Sequence, residues 1–432
     1  MNWNDPQDNG RLNSNRRSFD LIATCHELKF VVEKLNFYSI EIVITLGILL
    51  RLYGLLSCRE FWLDESMLLK NVRGVSPFKL FGTLTLEQVV PPGYLMMLRI
   101  INSLTGNHTI AMRLPSFLAA TGAFLFFANF VKIKFSKQVA LTALVLFAFN
   151  TDAVYYAQEM KPYAFDLLFS VILIMLLEKI QNQSVSNMNF SLRTRLLTTL
   201  AIMPWFSIPS VFMITAFFAI LFMEKVKEPR IHRNIILIWS IWLISFLITW
   251  LIEKNQVAEN SNLWVFWSFS FFSFMQPFNS ACLMADNLIN PMHLLTPLPF
   301  HGIMLVWISF ISCILISGIN SQIKSIRWLF FFGMTNILVV VIASTLRLYP
   351  FHGRTILFLL PLVLIVFAMG LNHYANYFGR WRFVFLTIIL FTPVTGSYWI
   401  DPFAYHRVIL FDGDLDHDYF LLKYGFLRTL PK

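Results

Sequence analysis

The sequence predicts an all-α protein that crosses a membrane many times. Hydrophobic residues make up 57% of the 432 residues and charged residues only 13%, and the mean hydropathy is +0.63. Uncharged runs of about 17 to 22 residues recur along the chain, each long enough to span the hydrocarbon layer as a helix. Helices are expected because lipid cannot satisfy the hydrogen bonds of an open strand. The composition excludes a soluble protein.

The apolar runs predict nine separate spans and one longer region. The nine spans lie near residues 37–57, 114–131, 139–156, 163–177, 234–252, 302–319, 328–346, 355–371 and 383–399. Residues 196–223 form a further uncharged stretch that is too long for one upright helix and contains Pro204 and Pro209. Because proline breaks or kinks a helix, we expect a hairpin of two short helices there. The predicted total is then about eleven spans.

The distribution of basic residues predicts which ends face the cytoplasm. With the hairpin, the N-terminus is cytoplasmic, and fourteen Lys and Arg residues fall in short inner loops. The outer connections after the first loop hold four: Lys161, Lys254, Arg347 and Arg354. This asymmetry agrees with the positive-inside rule, and a single span across 196–223 would remove it. The net charge of +10 is thereby explained without nucleic acid as a partner.

The predicted topology divides the chain into three parts. Residues 1–36 form a cytoplasmic segment without the apolar core of a cleavable signal peptide. Residues 37–399 form the transmembrane domain, and residues 400–432 form an acidic extracytoplasmic tail. Two outer loops, 58–113 and 253–301, are the expected places for chemistry. The second loop is rich in aromatic residues, which favours an interfacial helix or a lid.

Acidic and hydrogen-bonding residues gather at the outer rim of the predicted bundle. Asp64 and Glu65 follow the first span among aromatic residues. Taken alone, a solvated loop anchored by Trp62 in the headgroup region explains them about equally well. The turn between the third and fourth spans concentrates polar side chains that a mere turn would not need. They are Tyr156, Gln158, Glu159, Lys161 and Tyr163.

Cations face the same rim. Arg347 and Arg354 flank Tyr349 and His352, on the side that the positive-inside rule depletes of basic residues. Arg113 opens the second span, where pairing with lipid headgroups explains it as well as a role in a site does. Carboxylates beside cations suit the transfer of a sugar from a lipid phosphate to a hydroxyl. A carboxylate takes the proton of the acceptor while cations stabilise the leaving phosphate.

Four segments resemble, in order, the motifs of the GT-C superfamily of polyprenyl-phosphate-sugar-dependent glycosyltransferases. The similarity is to the bacterial branch related to protein O-mannosyltransferases and aminoarabinose transferases. The segments are RLYGLLSCREFWLDES (51–66), PPGYLMMLRI with MRLPSF (91–117), YYAQEMKPYAFD (155–166) and, more loosely, LYPFHGRTILFLLP (348–361). The resemblance covers residues 37–371. It implies a GT-C-like bundle with outer juxtamembrane helices in the first loop, in a bacterial inner or plasma membrane.

The resemblance also implies roles for single residues. Asp64 matches the catalytic base, and Glu65 is its neighbour, which would orient the acceptor or contribute to the site. Arg354 would hold the donor phosphate, with Lys161 and Arg113 assisting. Lys161 stands where the family usually has arginine. An arginine could bind the phosphate with two parallel hydrogen bonds, whereas a lysine offers a single ammonium group. The candidates for lining the substrate pocket are Tyr156, Gln158, Glu159, Tyr163, Tyr349 and His352.

The implied partners are a polyprenyl-phosphate-linked sugar, a hydroxyl acceptor on a glycan, lipid or protein, and the bilayer. Direct displacement would invert the anomeric centre, as in the family. The outer tail is shorter than the soluble domain of aminoarabinose transferases, so the acceptor stays open. Neither the four Cys nor the nine His residues have the spacing of metal ligands. The sequence establishes no cofactor and leaves a divalent metal open, because some members of the family use one.

Two other functions fit parts of the sequence. A transporter or lipid flippase would also have many spans, and Pro204 and Pro209 support it as a broken helix. Transporters, however, tend to carry charges at mid-bilayer, whereas the ionisable groups here lie at one rim. A ligase that moves whole glycans usually has its basic and His residues in a late outer loop. Loop 253–301 holds only Lys254, His293 and His301 of these types, which favours transfer of a monosaccharide.

Overall fold

The computed structural model describes residues 38–57, 59–73, 76–86, 88–181, 190–225, 229–259, 261–280, 283 and 324–375. Within these ranges the regular structure is helical, without strands, which confirms the predicted all-α class. The α-helices are α1 (Ser39–Leu56), α2 (Leu63–Val72), α3 (Pro92–Thr105), α4 (Thr109–Lys134), α5 (Lys137–Ala148), α6 (Thr151–Tyr155), α7 (Tyr163–Gln181), α8 (Phe190–Phe206), α9 (Ser210–Lys225), α10 (Pro229–Glu259), α11 (Ser261–Phe266), α12 (Lys324–Thr345) and α13 (Leu360–Ala375). Short 3₁₀ helices cover Pro77–Phe81, Tyr156–Gln158, Ser268–Ser270 and Gly353–Leu359.

Several helices are long and apolar enough to cross a bilayer. In the part of the chain that the structure describes there are five: Ser39–Leu56, Thr109–Lys134, Ile236–Val257, Arg327–Thr345 and Gly353–Asn372. Each coincides with a predicted span, and the chain is an integral membrane protein. The predicted spans 302–319 and 383–399, the segment 1–36 and the tail 400–432 lie outside the described residues. The total of eleven spans therefore stays a prediction.

The long apolar stretch at 196–223 forms two helices, as its prolines predicted. α8 ends at Phe206 and α9 begins at Ser210. The connection between them is buried, and the backbone N–H of Ser210 donates to the carbonyl of Ser207 at 3.3 Å. α8 packs mainly against α10, whereas α9 packs mainly against α12. The break therefore directs the two helices to different neighbours.

The predicted continuous span 139–156 is wrong, because the helix stops at Ala148 and a new one starts at Thr151. The side chain of Asn150 caps the new helix by accepting a hydrogen bond from the N–H of Ala153 at 2.9 Å. Arg51 donates to the last carbonyls of α5, at Phe147 (3.1 Å) and Ala148 (3.3 Å). The arginine of the RLYG motif thus joins α1 to the end of α5.

The first outer loop contains helices, as the resemblance implied, namely α2 and α3. The 3₁₀ turn Tyr156–Gln158 packs against α1 and α4, while Gly353–Leu359 packs against α7. Small residues allow these close approaches, with Ala119, Ala120 and Ala164 in one buried cluster. Segments that are distant in sequence therefore meet at one end of α1, α4 and α7.

A substitution at Gly93 tests the contact between α3 and α8. A methyl group at Gly93 would lie 2.6 Å from the carbonyl oxygen of Trp205, and backbone cannot move aside as a flexible side chain can. We expect Gly93→Ala to lower the thermal unfolding midpoint in detergent, at a cost of about 1–3 kcal/mol. Gly122→Ala is the control, because its methyl would meet Leu168 at an ordinary 3.5 Å and alanine favours helix. An unchanged midpoint for Gly93→Ala would contradict this contact.

Candidate active site

Asp64 lies where three distant segments meet. It is in the first turn of α2 and accepts hydrogen bonds from Lys161 Nζ at Oδ1 and from Arg354 Nη1 at Oδ2, both at 2.9 Å. Lys161 precedes α7, and Arg354 lies in the 3₁₀ helix Gly353–Leu359, 290 positions from Asp64. The side chain of Asp64 is 16% exposed. The structure therefore brings the predicted base and two of the predicted phosphate ligands together in one partly accessible cluster.

The two cations set the charge of Asp64. Burial alone would raise the pKa of Asp64, but attraction to Lys161 and Arg354 outweighs burial and lowers that pKa below its ordinary value. Asp64 is therefore ionised at neutral pH. Two cations share one carboxylate, so Asp64, Lys161 and Arg354 together carry a single net positive charge. A further anion is attracted to this position.

Gln88 completes the cluster, although it is not among the residues predicted from the sequence. Its Oε1 accepts a hydrogen bond from Lys161 Nζ at 2.6 Å, and its Nε2 donates to Asp64 Oδ1 at 3.3 Å. The amide thus orients both charged partners. The sequence signal that could have identified Gln88 is its position just before the Val-Val-Pro-Pro stretch, where an apolar residue is more usual than a polar one.

Glu65 and Arg113 form a second ion pair, which is buried completely. Arg113 Nε and Nη2 donate to the two carboxylate oxygens of Glu65 at 2.8 and 2.6 Å. The carboxylate also accepts from the backbone N–H groups of Met160 (2.8 Å) and Trp62 (3.2 Å). Arg113 donates further to the carbonyls of residues 59–60 at 2.6 and 3.0 Å. The hydrogen bonds of this pair therefore join the loop before α2 to α4 and to the turn at Met160, just before α7.

The PPGY and MRLPSF motifs support the same turn. Tyr94 Oη and Ser116 Oγ are 3.2 Å apart, and Ser116 Oγ donates to the carbonyl of Lys161 at 3.0 Å. Both side chains are buried. α3 and α4 thus hold the backbone of Lys161, and with it the position of the ammonium group beside Asp64.

Two aromatic rings enclose the guanidinium of Arg354. Its Cζ lies 5.5 Å from the ring centroid of Tyr163 and 5.4 Å from that of Trp267, within the range of cation–π attraction. Trp267 belongs to the predicted second outer loop, and next to it the carbonyl of Ser270 accepts a hydrogen bond from the N–H of Phe351 at 3.0 Å. The second loop therefore contributes an aromatic wall to the site. Trp267 was not predicted as a site residue.

Glu159 is a buried acid next to the cluster. Its Oε1 accepts a hydrogen bond from Trp62 Nε1 at 2.8 Å, while Oε2 has no hydrogen-bond partner among the described residues. Burial, together with the neighbouring carboxylates of Glu65 and Asp64, raises the pKa of Glu159 to about 7. Glu159 therefore changes its charge near neutral pH.

The remaining pocket candidates fall into two groups. Gln158 packs against Gly54, which has no side chain to displace the amide, and lies away from solvent. Tyr156 contacts Tyr163 edge to face, with the ring centroids 5.0 Å apart, and so lies beside the aromatic wall.

Within the described ranges no group of three His, Cys, Asp or Glu side chains is arranged to hold a metal ion.

Tyr349 and His352 flank the Arg354 segment. Tyr349 Oη donates to the carbonyl of Thr355 at 2.8 Å. The ring of His352 lies 5.1 Å from that of Phe269 in the second loop. Burial and the charge of Arg354 lower the pKa of His352, so its imidazole is neutral at pH 7.

Residues 89–252 match a known protein family, described as dolichyl-phosphate-mannose-protein mannosyltransferase. The match includes Arg113, Glu159 and Lys161, whereas Asp64 and Arg354 lie outside it. It confirms the resemblance to GT-C glycosyltransferases that the motifs predicted. No curated protein matches the sequence.

Two solved structures of ArnT from Cupriavidus metallidurans align with this chain. The apo structure aligns with 12% identity and a TM-score of 0.49, over 87% of this chain and 66% of that one. The structure bound to undecaprenyl phosphate aligns with 11% identity and a TM-score of 0.49, over 85% and 67%. This chain thus spans slightly less than two thirds of the length of the first. At this identity the similarity assigns no residue a role.

The Arg113–Glu65 pair predicts strong coupling in stability. Arg113→Met leaves a buried carboxylate without its cation, which typically costs about 3–5 kcal/mol. We expect a large fall in the thermal unfolding midpoint for Arg113→Met, and partial recovery when Glu65→Met is added. Simple addition of the two single effects in the double variant would contradict the proposed coupling.

Glu159 predicts a pH dependence of stability. The folded state binds its proton with a pKa of about 7, against an ordinary value of 4.5, so the folded state holds more protons between these values. The contribution of Glu159 to stability therefore falls as the pH rises from about 4.5 to about 7. Unfolding midpoints across this window should fall less steeply in Glu159→Gln than in the wild type. Glu60→Gln, at an exposed acid of the first loop, is the control, and parallel profiles for Glu159→Gln and wild type would refute the assignment.

Proposed function

We propose that this protein, whose residues 89–252 match the dolichyl-phosphate-mannose-protein mannosyltransferase family, is a membrane glycosyltransferase that moves a monosaccharide from a polyprenyl phosphate to a hydroxyl acceptor. The observation that carries the proposal is the carboxylate of Asp64 held between Lys161 Nζ and Arg354 Nη1. Such a transfer needs a base for the acceptor proton and cations for the departing phosphate. Both are present within one cluster.

The donor phosphate would bind to the cations that Asp64 now occupies. The phosphate of a polyprenyl-phosphate sugar is an anion, and the cluster has a single net positive charge to offer it. Arg354 keeps 21% of its side chain exposed, and its two aromatic neighbours hold the guanidinium in place. The polyprenyl chain would lie along the apolar surface of the helices.

Donor binding would also prepare the base. When the phosphate takes a share of Lys161 and Arg354, the attraction that lowers the pKa of Asp64 weakens, while its burial remains. The pKa of Asp64 then rises toward values at which a carboxylate accepts a proton more readily. This coupling favours an order in which the donor binds before the acceptor reacts.

The chemical step is a direct displacement. The acceptor oxygen attacks the anomeric carbon as the bond from that carbon to the phosphate oxygen breaks. Asp64 receives the acceptor proton, and the bonding electrons leave with the polyprenyl phosphate, which Lys161 and Arg354 stabilise. Attack from the face opposite the phosphate inverts the anomeric centre. The products are the glycosylated acceptor and the free polyprenyl phosphate.

For Arg113 and Glu65, the contacts suggest roles that differ from those implied by the sequence. Both were grouped with the residues that act on substrates, but they hydrogen-bond each other and backbone groups. We assign them as positioning residues that hold the start of α2, and with it Asp64, against Lys161. The acceptor is a hydroxyl of a glycan, lipid or protein, reached on the extracytoplasmic side of a bacterial plasma membrane with the N-terminus inside.

Asp64→Asn tests the role of the base. The amide keeps the shape of the side chain but cannot take a proton, so we expect sugar transfer to fall by about 10²–10⁴-fold. Transfer is followed as loss of labelled mannose from dolichyl phosphate mannose in membranes containing the variant. Binding of the donor should stay the same or tighten, because the carboxylate no longer competes with the phosphate.

Glu60→Gln is the matched control for this test, since Glu60 is an exposed acid four positions before Asp64. It should transfer sugar at the wild-type rate. Wild-type turnover in Asp64→Asn, with normal folded yield, would remove Asp64 from the mechanism.

A further inference from the structure

The chain before α3 has an unusual backbone conformation beside the Asp64 cluster. The φ angle of Leu86 is 62°, in the left-handed region that favours glycine and disfavours a bulky side chain. Gln88 Nε2 donates to the carbonyl of Leu86 at 3.1 Å and to Asp64 Oδ1 at 3.3 Å. A strained backbone persists only where the surrounding contacts impose it. Other parts of the protein must therefore hold the chain around Gln88.

Asn71 holds this chain from the side of α2. Its side chain accepts a hydrogen bond from the N–H of Thr85 at 2.8 Å and donates to the carbonyl of Thr85 at 2.9 Å. Asn71 is seven residues after Asp64, so both lie on the same face of α2. The helix that presents the predicted base therefore also holds the chain on one side of Gln88.

Gln256 holds the chain on the other side of Gln88, from α10. Its Oε1 accepts a hydrogen bond from the N–H of Val90 at 3.0 Å, and the two residues are 166 positions apart. The side chain of Gln256 is fully buried, so water does not compete for this hydrogen bond. Val90 is two residues after Gln88. Gln256 therefore fixes where the chain leaves the cluster toward α3.

α10 is itself joined to α8, which supports the start of α3. Trp205 Nε1, near the end of α8, donates to Ser245 Oγ on α10 at 3.0 Å. Ser245 Oγ in turn donates to the carbonyl of Ala201 on α8 at 2.6 Å. Gly93, in the first turn of α3, faces the carbonyl of Trp205. α8 and α10 thus form one support for the residues that follow Gln88.

This support matters because Gln88 holds Lys161. Lys161 Nζ donates to Gln88 Oε1 at 2.6 Å and to Asp64 Oδ1 at 2.9 Å. In the proposed reaction the donor phosphate replaces part of the contact that Asp64 now makes. Gln88 then remains as a fixed partner of Lys161. An ammonium group has three donors, so Lys161 can bind Gln88 and the phosphate together.

We propose that Gln256 is a positioning residue for sugar transfer, which acts through Val90 and Gln88 on Lys161. The inference rests on the proposed function and adds a residue of α10 to that site. Gln256 Nε2 has no hydrogen-bond partner among the described residues, so the effect passes through the backbone of Val90. Gln256 keeps Lys161 directed at the departing phosphate while Asp64 receives the proton of the acceptor.

The test measures loss of labelled mannose from dolichyl phosphate mannose in membranes that contain the full-length variants. Rates are taken over a range of donor concentrations and normalised to folded protein. Gln256→Leu cannot accept the hydrogen bond of Val90, so we expect the apparent kcat to fall by about tenfold or more as Lys161 is misplaced. The apparent KM for the donor should change little, because Arg354 still binds the phosphate.

A double variant separates this role from a general effect on folding. Once Gln88→Leu has removed the partner of Lys161, Gln256 has nothing left to position. Adding Gln256→Leu to Gln88→Leu should therefore lower kcat no further, whereas multiplication of the two single effects would overturn the proposal. If Gln256→Leu does not fold, Gln256→Asn decides the matter. Its shorter side chain keeps the amide but does not reach Val90, so the same loss of kcat is expected and a wild-type kcat would refute the role.

Thr249→Val is the matched control. Thr249 is buried on the same face of α10, about two turns before Gln256, and its hydroxyl donates within its own helix, to the carbonyl of Phe246. It should transfer sugar at the wild-type rate, and an equal loss in Thr249→Val would assign the effect to the packing of α10 instead.

Two outcomes distinguish failure of this inference from failure of the proposed function. If the wild-type protein transfers mannose and Gln256→Leu does so equally fast, the positioning role of Gln256 is refuted while the proposed function stands. If the wild-type protein releases no mannose from dolichyl phosphate mannose, the proposed function itself is refuted, and the positioning role with it.

Discussion

The ion pairs that Asp64 makes with Lys161 and Arg354 are the constraint on which the rest of the site depends. One carboxylate between two cations requires α2, the turn before α7 and the Gly353–Leu359 helix to meet. Charges removed from water are tolerated only with close partners. Without a ligand, Asp64 is paired with both cations, and the three groups together keep one positive charge. An incoming phosphate can therefore replace the internal carboxylate and release it for chemistry.

The surrounding residues keep this cluster in place. Glu65 and Arg113 fix the loop before α2, and the hydroxyls of Tyr94 and Ser116 fix the carbonyl of Lys161. A buried ion pair adds little net stability compared with an apolar pair of the same size, but breaking it is costly. These contacts therefore fix the geometry of the site but add little to the stability of the fold. They also explain why motifs far from Asp64 resemble those of sugar transferases.

The sequence predicted the elements whose signal is local. Apolar runs located the helices and paired prolines located the α8–α9 break. The stop at Asn150 was missed because long apolar runs on both sides outweigh the short polar sequence Asn150-Thr151-Asp152. The convergence of Asp64, Lys161 and Arg354 followed from family motifs. The contacts of Arg113 and Gln88 could not be predicted, because their partners lie 48 and 73 positions away. Charge is visible in a sequence, but the partner that neutralises it is not.

A structure of the protein with dolichyl phosphate mannose in nanodiscs tests the central claim most directly. The account predicts phosphate oxygens at about 3 Å from Lys161 Nζ and the Arg354 guanidinium. The Asp64 carboxylate should then have moved away from at least one of these cations and toward the anomeric carbon. A phosphate bound elsewhere, with both ion pairs of Asp64 unchanged, would contradict the account.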